Sequence, residues 1–178
     1  VRVRAEEEEE SGESLFDASF AIVALPPCVA ANTIAFDPPL AADKLARMRA
    51  TKTWAGDWAK VVISFKTPFW RGMNMSGVSL VRGEDAVVEF LWESGGGTEL
   101  GEETASLAGV AFGVDACERI ERLRRAGDGA LEREIRRALA PVYGADVIDR
   151  ELLRVDAHAW GVDPLTCGDT DGGGGDPR

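Results

Sequence analysis

The sequence is poor in cysteine and histidine, and it has no long apolar run. It contains three cysteines and one histidine among 178 residues. The cysteines are widely spaced and form no CxxC pair, which argues against a disulfide framework and a zinc site and favours a reducing compartment such as the cytoplasm. No apolar run approaches the roughly 20 residues that a transmembrane helix requires, so we expect no membrane segment.

Positive charge is also scarce. The 20 lysines and arginines are outnumbered by 31 aspartates and glutamates, which gives a formal net charge of −11. Phosphate binding needs clustered basic side chains, so this composition argues against a nucleic acid or an anionic membrane as partner. It is compatible with a cationic small molecule or peptide. A hydrophobic content of 45% predicts a globular protein with a real core.

Both ends of the chain differ in composition from its middle. Because the sequence begins at Val1 without an initiator methionine or a secretory signal, we expect it to be a fragment. The acidic run at residues 6–10 is followed by turn-forming residues, which predicts a solvated hairpin tip more than an acidic binding tail. The Gly-rich residues 172–178 predict a disordered tail.

Hydrophobic periodicity predicts strands first, then a helix pair, then a last strand. Strand patterns occupy residues 18–25, 58–65, 86–92, 106–113 and 152–160. Helical patterns occupy residues 41–50 and 115–142, and the second is interrupted at Gly127–Gly129 and closed by Pro141 and Gly144. This order predicts an α+β fold with a mixed, largely antiparallel sheet flanked by helices.

The strand patterns also predict which side chains point inward. Residues 18–25 are apolar apart from Ser19, which predicts a strand covered on both faces. In residues 58–65 strict alternation places Lys60 on the face opposite Val61 and Ile63. In residues 86–92 the same argument predicts that Phe90 and Trp92 point inward. The small residues of 106–113 suit the middle of a sheet.

Lys60 is the unusual residue of the strand patterns. It lies in mid-strand and shares a face with Trp58 and Val62, where an ammonium group would be desolvated. Such burial would favour a hydrogen-bonding or general-base role. The alternative is an edge-strand lysine that extends to water or prevents aggregation. The pattern by itself leaves both interpretations open.

Other candidates for chemistry are fewer. His158 alternates with Asp156 and could pair with it, but the chain has no GxSxG nucleophile motif, so a structural or solvent-facing histidine is the alternative. Cys167 has no basic neighbour that would activate it. Four aromatic residues could wall a pocket or belong to the core: Trp54, Trp58, Phe69 and Trp70.

Four segments of the chain, in this order, resemble the flavin-containing amine oxidase family, which includes monoamine oxidases, polyamine oxidases and lysine-specific histone demethylases. The segments are AIVALPP at 21–27, IAFDPPL at 34–40, KVVISF followed by PFW at 60–70, and WGVDPLTCG at 160–168. Each is weak alone, but four in the right order, spread from about Ala18 to Gly168, are fairly specific. The resemblance implies most of a substrate-binding domain plus one strand and turn of a cofactor domain.

The resemblance also assigns roles to residues. The lysine that matches Lys60 holds a water against the reactive ring nitrogen of FAD, beside the substrate. By the same resemblance Leu25 and Pro26 would lie along the dinucleotide part of the cofactor. Trp160 and Leu165 would lie near the flavin ring. We therefore expect Lys60 to be catalytic and the other four residues to bind FAD.

The chain departs from the family pattern in ways that affect the cofactor. Monoamine oxidases attach FAD through a cysteine at the position of Asp169, so we expect non-covalent FAD here. Thr170 stands where relatives often have tyrosine, which weakens the expected aromatic wall. The chain lacks the family's Gly-rich FAD-binding segment and its C-terminal flavin-binding segment. We therefore expect the rest of the FAD-binding domain to be missing and the chain alone to lose FAD.

The implied function is oxidation of the C–N bond of an amine, with oxygen as acceptor and hydrogen peroxide as product. Monoamine, polyamine, amino acid and peptidyl-lysine substrates all remain open. The alternative is a non-catalytic interaction domain, derived from the same fold, that binds a protein partner. We divide the chain into a partial strand and acidic tip at 1–17, an amine-oxidase-like domain at 18–168 and a tail at 169–178.

Overall fold

The computed structural model describes residues 1–6, 13–54, 56–81, 86–95 and 104–166. The strands are β1 Arg2–Glu6, β2 Glu13–Asp17, β3 Trp58–Phe65, β4 Ser79–Leu80, β5 Phe90–Gly95, β6 Ala105–Phe112 and β7 Leu152–Ala159. The helices are α1 Pro27–Thr33, α2 Ala42–Ala50, α3 Phe69–Gly72, α4 Val114–Ala126, α5 Ala130–Tyr143 and α6 Ala145–Glu151, and a 3₁₀ turn, Trp160–Val162, follows β7. In this part of the chain no helix is long and apolar enough to cross a membrane.

Strands β1 and β2 form a separate antiparallel hairpin. Arg2 lies opposite Asp17, and their side chains form an exposed ion pair with an Nε–Oδ1 distance of 2.8 Å. The antiparallel pairing agrees with the predicted hairpin. Residues 7–12, which include most of its acidic tip, lie outside the described residues, as does the predicted tail at 172–178.

The apolar segment 18–25 is not a strand, so the prediction of a strand covered on both faces is wrong. The segment is irregular and exposed, with Ile22 93% accessible. Strand pairing of the hairpin stops at Asp17, and a strand needs a neighbour to satisfy its backbone groups. Helix α1 begins at Pro27 instead, since proline at the first helical position loses no hydrogen bond.

The main sheet has five strands in the order β4-β5-β6-β3-β7, and every neighbouring pair is antiparallel. Strand β6 lies at its centre, as its small apolar residues predict. At Gly109 a Cβ atom would lie only 2.4 Å from Val88 Cγ2. Helices α4 and α5 contact the sheet. The antiparallel sheet with flanking helices confirms the predicted α+β class.

One face of the sheet forms the core. The alternation predicted for β3 is confirmed: Ala59, Val61, Ile63 and Phe65 are all fully buried. In β5 the prediction is wrong by one residue, because Leu91 is fully buried while Phe90 and Trp92 are only partly buried on the opposite face. The strand begins at Phe90, and Val87 and Val88 reach the core from the irregular segment before it.

The helix pair follows the predicted break. Gly127 and Gly129 both have positive φ, 64° and 66°, and they separate α4 from α5. Pro141 does not end α5 as predicted, because the helix continues to Tyr143, but the predicted stop at Gly144 is confirmed, since Gly144 is the C-cap residue. Tyr143 is buried against Phe69, and its hydroxyl lies 2.9 Å from Ser79 Oγ, so packing holds the last turn despite the missing proline N–H.

Candidate functional site

Lys60 projects from an interior strand onto an accessible face of the main sheet. Strand β3 lies between β6 and β7, where Lys60 pairs with Val110 on one side and His158 on the other. The edge-strand interpretation is therefore wrong. The side chain is exposed rather than desolvated, so the burial argument for a special lysine does not apply within this chain. Lys60 needs another reason for its position.

We call this side of the sheet the open face and define it by the side chains of Trp58, Lys60, Val62, Phe90, Trp92, Val110, Phe112 and His158. Register places them together. All are exposed or half-buried, in contrast to the buried face, which lies against the helices. The open face therefore places apolar and aromatic side chains and one imidazole around one ammonium group, and the ion-paired Asp156 lies opposite Val62 at its β7 side. Such a surface can hold a flat organic ligand and position a hydrogen-bond donor against it.

The ammonium nitrogen of Lys60 lies 5.5 Å from the centre of the Trp92 ring. Trp92 in turn lies beside Phe90, with ring centroids 5.6 Å apart. This is a cation–π arrangement, which attracts the ammonium group to the ring face. Among the described residues the Lys60 Nζ has no hydrogen-bond acceptor, so its N–H donors are available to a ligand.

The four aromatic residues named from the sequence divide between core and surface. Trp70 is fully buried and Phe69 packs against the core, so for these two the core interpretation is confirmed. Trp58 contacts Phe112 edge-to-face at 4.8 Å on the open face. Trp54 contacts Trp58 at 5.6 Å and is largely exposed. Of the four, only Trp54 and Trp58 could wall a site.

His158 pairs with Asp163 and not with Asp156. Its Nε2 lies 2.8 Å from Asp163 Oδ2, whereas Asp156 accepts hydrogen bonds from Arg154. The predicted partner is therefore wrong, although a His–Asp pair is present. The chain turns sharply after β7, and this turn brings Asp163 back to the histidine. An Asp-Pro dipeptide, which favours a turn, was the available signal for Asp163.

The His158 ring also lies against Trp160, with ring centroids 4.0 Å apart. Trp160 begins the 3₁₀ turn and is 40% exposed. Asp163 accepts a second hydrogen bond, from the backbone N–H of Leu165 at 2.8 Å. One carboxylate thus links His158 and Leu165. Lys60, His158 and Trp160 lie on neighbouring strands or at their ends, and Leu165 lies on the adjoining turn.

The turn that carries Leu165 is also tied to helix α1. Thr53 Oγ1 donates to the Thr166 carbonyl oxygen at 2.7 Å, and Cys28 Sγ lies 3.8 Å from the same hydroxyl. Leu25 and Pro26 lie just before α1, and Pro26 is its N-cap residue. The structure describes no direct contact between these two residues and Lys60. They are connected to the site through α1, whose Cys28 lies beside Thr53, and through the hydrogen bond from Thr53 to Thr166.

The 3₁₀ turn is seated closely on helix α4. A Cβ atom at Gly161 would lie 2.9 Å from Cys117 Sγ. The Cys117 thiol donates to the Asp57 carbonyl oxygen at 3.2 Å, and burial, the main cause, raises the pKa of this thiol. Cys117 is therefore a packing residue against Gly161 of the 3₁₀ turn, and a raised pKa makes it a poor nucleophile.

The remaining sequence candidates concern the end of the chain and metal binding. Cys167, Asp169 and Thr170 lie outside the described residues, so their expected roles stay predictions. Within the ranges that the structure describes, no cluster of three or more histidine, cysteine, aspartate or glutamate side chains could hold a metal ion.

The chain matches known proteins along most of its length. Residues 1–171 match the family model described as flavin containing amine oxidoreductase. Amine oxidase [flavin-containing] B from Bos taurus is 34% identical over 76 residues, which are 43% of this chain and 14% of that protein. The same enzyme from Homo sapiens is 30% identical over 76 residues, with the same coverage of both chains.

Solved structures show the same fold. A putrescine oxidase bound to putrescine superposes with a TM-score of 0.60 at 24% identity, covering 89% of this chain and 34% of the other. Cyclohexylamine oxidase from Brevibacterium oxydans IH-35A superposes with a TM-score of 0.56 at 23% identity, covering 92% and 34%. The chain thus spans about a third of these structures and 14% of the curated relatives.

Proposed function

This chain belongs to the flavin containing amine oxidoreductase family, and from that premise we propose that it forms part of an FAD-dependent enzyme that oxidises the C–N bond of an amine. Oxygen is the electron acceptor and hydrogen peroxide the product. The observation that carries the proposal is the placement of Lys60. It is exposed on an aromatic sheet face, with N–H donors that no acceptor among the described residues engages.

Lys60 is proposed as the catalytic residue. Its backbone is held on both sides by antiparallel strands, which fixes the position of its Cα atom. Its ammonium group can donate a hydrogen bond to a water molecule and hold that water against an acceptor nitrogen. A water ordered in this way is available for proton transfer near the reacting centre. The ammonium group contacts the Trp92 ring, and the proposed role accounts for its N–H donors, which no acceptor among the described residues engages.

The residues present fit a flavin ring. Trp160 offers a partly exposed indole beside the open face, and a flat ring can stack on or beside such a side chain. Lys60 offers donors to a ring nitrogen or a bridging water, and Leu165 adds an exposed apolar side chain. Bound FAD would supply the redox chemistry, accepting a hydride from the amine and passing electrons to oxygen.

Leu25 and Pro26 are proposed to contact the dinucleotide part of FAD. Support comes from the accessibility of the segment before α1 and from the link through Thr53 to the turn that carries Leu165. Because Asp169 replaces the cysteine used for covalent attachment in monoamine oxidases, we propose that FAD binds without a covalent bond. We also propose that the 18–168 domain alone does not retain FAD, since it contains no GxGxxG phosphate-binding segment.

The substrate is proposed to be a small amine or polyamine. The relatives named above include enzymes called putrescine oxidase and cyclohexylamine oxidase, whose names point to small amines. A net charge of −11 would attract a cationic amine at long range. The aromatic residues of the open face would pack against its carbon chain. Neither a nucleic acid nor a membrane surface is part of the proposal.

The test is Lys60→Met in the native protein that carries this chain, loaded with FAD. Flavin reduction by putrescine, cyclohexylamine or benzylamine is followed without oxygen by stopped-flow absorbance, and reoxidation is followed after oxygen is added. We expect the variant to slow at least one half-reaction by about 100-fold, the usual effect of removing one positioned hydrogen-bond donor. The circular dichroism spectrum should be unchanged.

Lys44→Met is the matched control, because Lys44 lies on α2 and its replacement removes the same charge away from the open face. It should leave both half-reactions at the wild-type rate. Equal rates for Lys60→Met and wild type would contradict the role of Lys60. Absence of flavin reduction by every amine tested would contradict the oxidase proposal itself and favour the alternative of a non-catalytic interaction domain.

A further inference from the structure

His158 is the only histidine of the chain, and it lies directly opposite Lys60 on the open face. Resting on the function proposed above, we propose that His158, oriented by Asp163, accepts the proton of the substrate ammonium group before oxidation. The basis is the register that pairs His158 with Lys60 and the hydrogen bond that fixes its ring. A strand neighbour of a catalytic lysine, with an accessible ring nitrogen, is placed to meet the same substrate.

The hydrogen bond to Asp163 determines which ring nitrogen is available. A carboxylate only accepts hydrogen bonds, so the contact of 2.8 Å places a proton on Nε2. In the neutral ring, Nδ1 then carries the lone pair and is the proton acceptor. The Asp163 side chain is 19% exposed and His158 is 51% exposed, so the carboxylate is sheltered while the ring stays accessible.

Two contacts limit how the ring can turn. Trp160 packs against it with centroids 4.0 Å apart, and Asp163 is itself fixed by the backbone N–H of Leu165. The imidazole is therefore held between the carboxylate and the indole. A fixed acceptor nitrogen needs little reorganisation when it receives a proton. This distinguishes His158 from a histidine that only fills space on a surface.

The charged groups around His158 are few and balanced. On its own strand Asp156 is paired with Arg154, on β3 the neighbour is Lys60, and Asp163 follows the 3₁₀ turn. Asp163 stabilises the imidazolium that forms on proton transfer, whereas Lys60 opposes it. Lys60 leans the other way, toward Trp92 two strands away. The space between Lys60 and His158 is therefore where an ammonium group would meet the ring.

The proposed step is a simple proton transfer. The N–H bond of the ammonium group breaks, the proton forms a bond to Nδ1, and the electron pair stays on the amine nitrogen. Asp163 remains an anion and Nε2 keeps its proton. The freed lone pair on the amine nitrogen then assists departure of hydride from the adjacent carbon. No redox change occurs at the protein.

The first test concerns the ring alone and needs no flavin. Because the chain has one histidine, isotope-edited NMR of its imidazole nitrogens gives one pair of signals without ambiguity. We expect the neutral ring to be protonated on Nε2 and unprotonated on Nδ1. Asp163→Leu removes the acceptor and should change the Nε2 signal. A wild-type ring protonated on Nδ1, or an Nε2 signal unaffected by Asp163→Leu, would overturn the proposal.

The second test uses the flavin-loaded native protein and His158→Gln, which keeps a polar side chain but has no basic nitrogen. The rate of flavin reduction by cyclohexylamine should rise with pH in the wild type. The pH profile of the variant should have one inflection fewer. We expect the variant to be about 100-fold slower at the plateau, the usual lower range for loss of a general base. Asp156→Asn is the control and should keep the inflection.

A substrate that needs no deprotonation separates this role from mere support of Trp160. 2,2-Difluorocyclohexylamine is less basic than cyclohexylamine, because fluorine next to the amine-bearing carbon withdraws electrons, so far more of it is neutral at the same pH. The flavin of His158→Gln should be reduced by this analogue at close to the wild-type rate. An equal defect with both amines, or a variant profile identical to the wild type, would overturn the proposal. If no amine reduces the flavin of the wild-type protein, the proposed oxidase function is overturned as well.

Discussion

The ammonium nitrogen of Lys60 lies 5.5 Å from the centre of the Trp92 ring, although the two residues belong to strands separated by β6. The long lysine side chain reaches across β6, where Val110 pairs with Lys60, to the indole of Trp92 on β5. This contact holds the ammonium group on the side of the face opposite to His158. The donor of the proposed site and its proton acceptor are thereby kept apart, which leaves room for a ligand between them.

We predict a measurable energetic coupling between Lys60 and Trp92. Lys60→Met and Trp92→Leu each remove one partner of the cation–π contact, so their effects on the free energy of unfolding should not add. The coupling energy should be about 0.5–1 kcal/mol, the usual size at an accessible site. It is measured by urea denaturation of the wild type, both single variants and the double variant.

The pair Lys66 and Trp92 provides the control for this cycle. Lys66 follows directly after β3 and is not placed over Trp92. Lys66→Met combined with Trp92→Leu should give additive effects. A coupling for the Lys60 pair no larger than for the Lys66 pair would show that the ring does not hold the ammonium group.

We also predict that β6 tolerates no side chain at Gly109. A Cβ atom there would lie 2.4 Å from Val88 Cγ2 and 2.8 Å from Leu91 Cδ2, inside the core. Gly109→Ala should lower the free energy of unfolding by about 1–3 kcal/mol, because the overpacked core must shift. Thermal or urea denaturation followed by circular dichroism measures the change.

Gly72→Ala is the matched control for Gly109→Ala. Gly72 ends α3, and a Cβ atom added there would meet no other atom within 4 Å. The substitution should leave stability unchanged or slightly higher, because alanine favours helices. If both glycine variants have the same stability as the wild type, the close approach of Val88 and Leu91 to β6 is not maintained in solution.

A third prediction concerns pH and Glu121 on α4. Hydrogen bonds from Arg124, and then from Arg125, lower the pKa of Glu121 from 4.5 to about 2. A lowered pKa contributes stability above the unfolded value and loses it as the pH falls through the folded value. Glu121→Gln should therefore destabilise the chain at pH 7, and its difference from the wild type should shrink between pH 4.5 and pH 2.

Urea denaturation midpoints at several pH values measure this difference. Glu118→Gln removes the same charge one turn earlier on α4, where the structure describes no hydrogen bond for the side chain, and it should change stability little at pH 7. A Glu121→Gln difference that stays constant over the whole acidic range would contradict the role of the two arginines.

The local sequence pattern was sufficient to predict the structure wherever a single physical requirement decides it. The alternation of β3 is a direct consequence of burying one face of a strand, and every buried residue of that strand follows it. The break between α4 and α5 follows from glycines that adopt positive φ. The small residues of β6 predicted a central strand, since neighbouring strands and core side chains approach it closely.

Prediction failed where an outcome depends on distant residues. The segment 18–25 has the composition of a buried strand, but no strand among the described residues pairs with it. The inward face of β5 was predicted wrongly because side chains alternate along a strand, so an error of one residue exchanges its two faces. Asp163 was missed as the partner of His158 because a turn, not a strand, brings it there.

The fold class, the break between the two long helices and, through motif resemblance, the family could all be read from the amino-acid sequence, because they depend on periodicity and on residues close together in the chain. The position of Lys60 on an interior strand, over Trp92 and opposite His158, emerged only from the folded chain. Strand order and register bring together residues from β3, β5 and β7, and hydrogen bonding between distant segments leaves no local pattern from which this arrangement could be read.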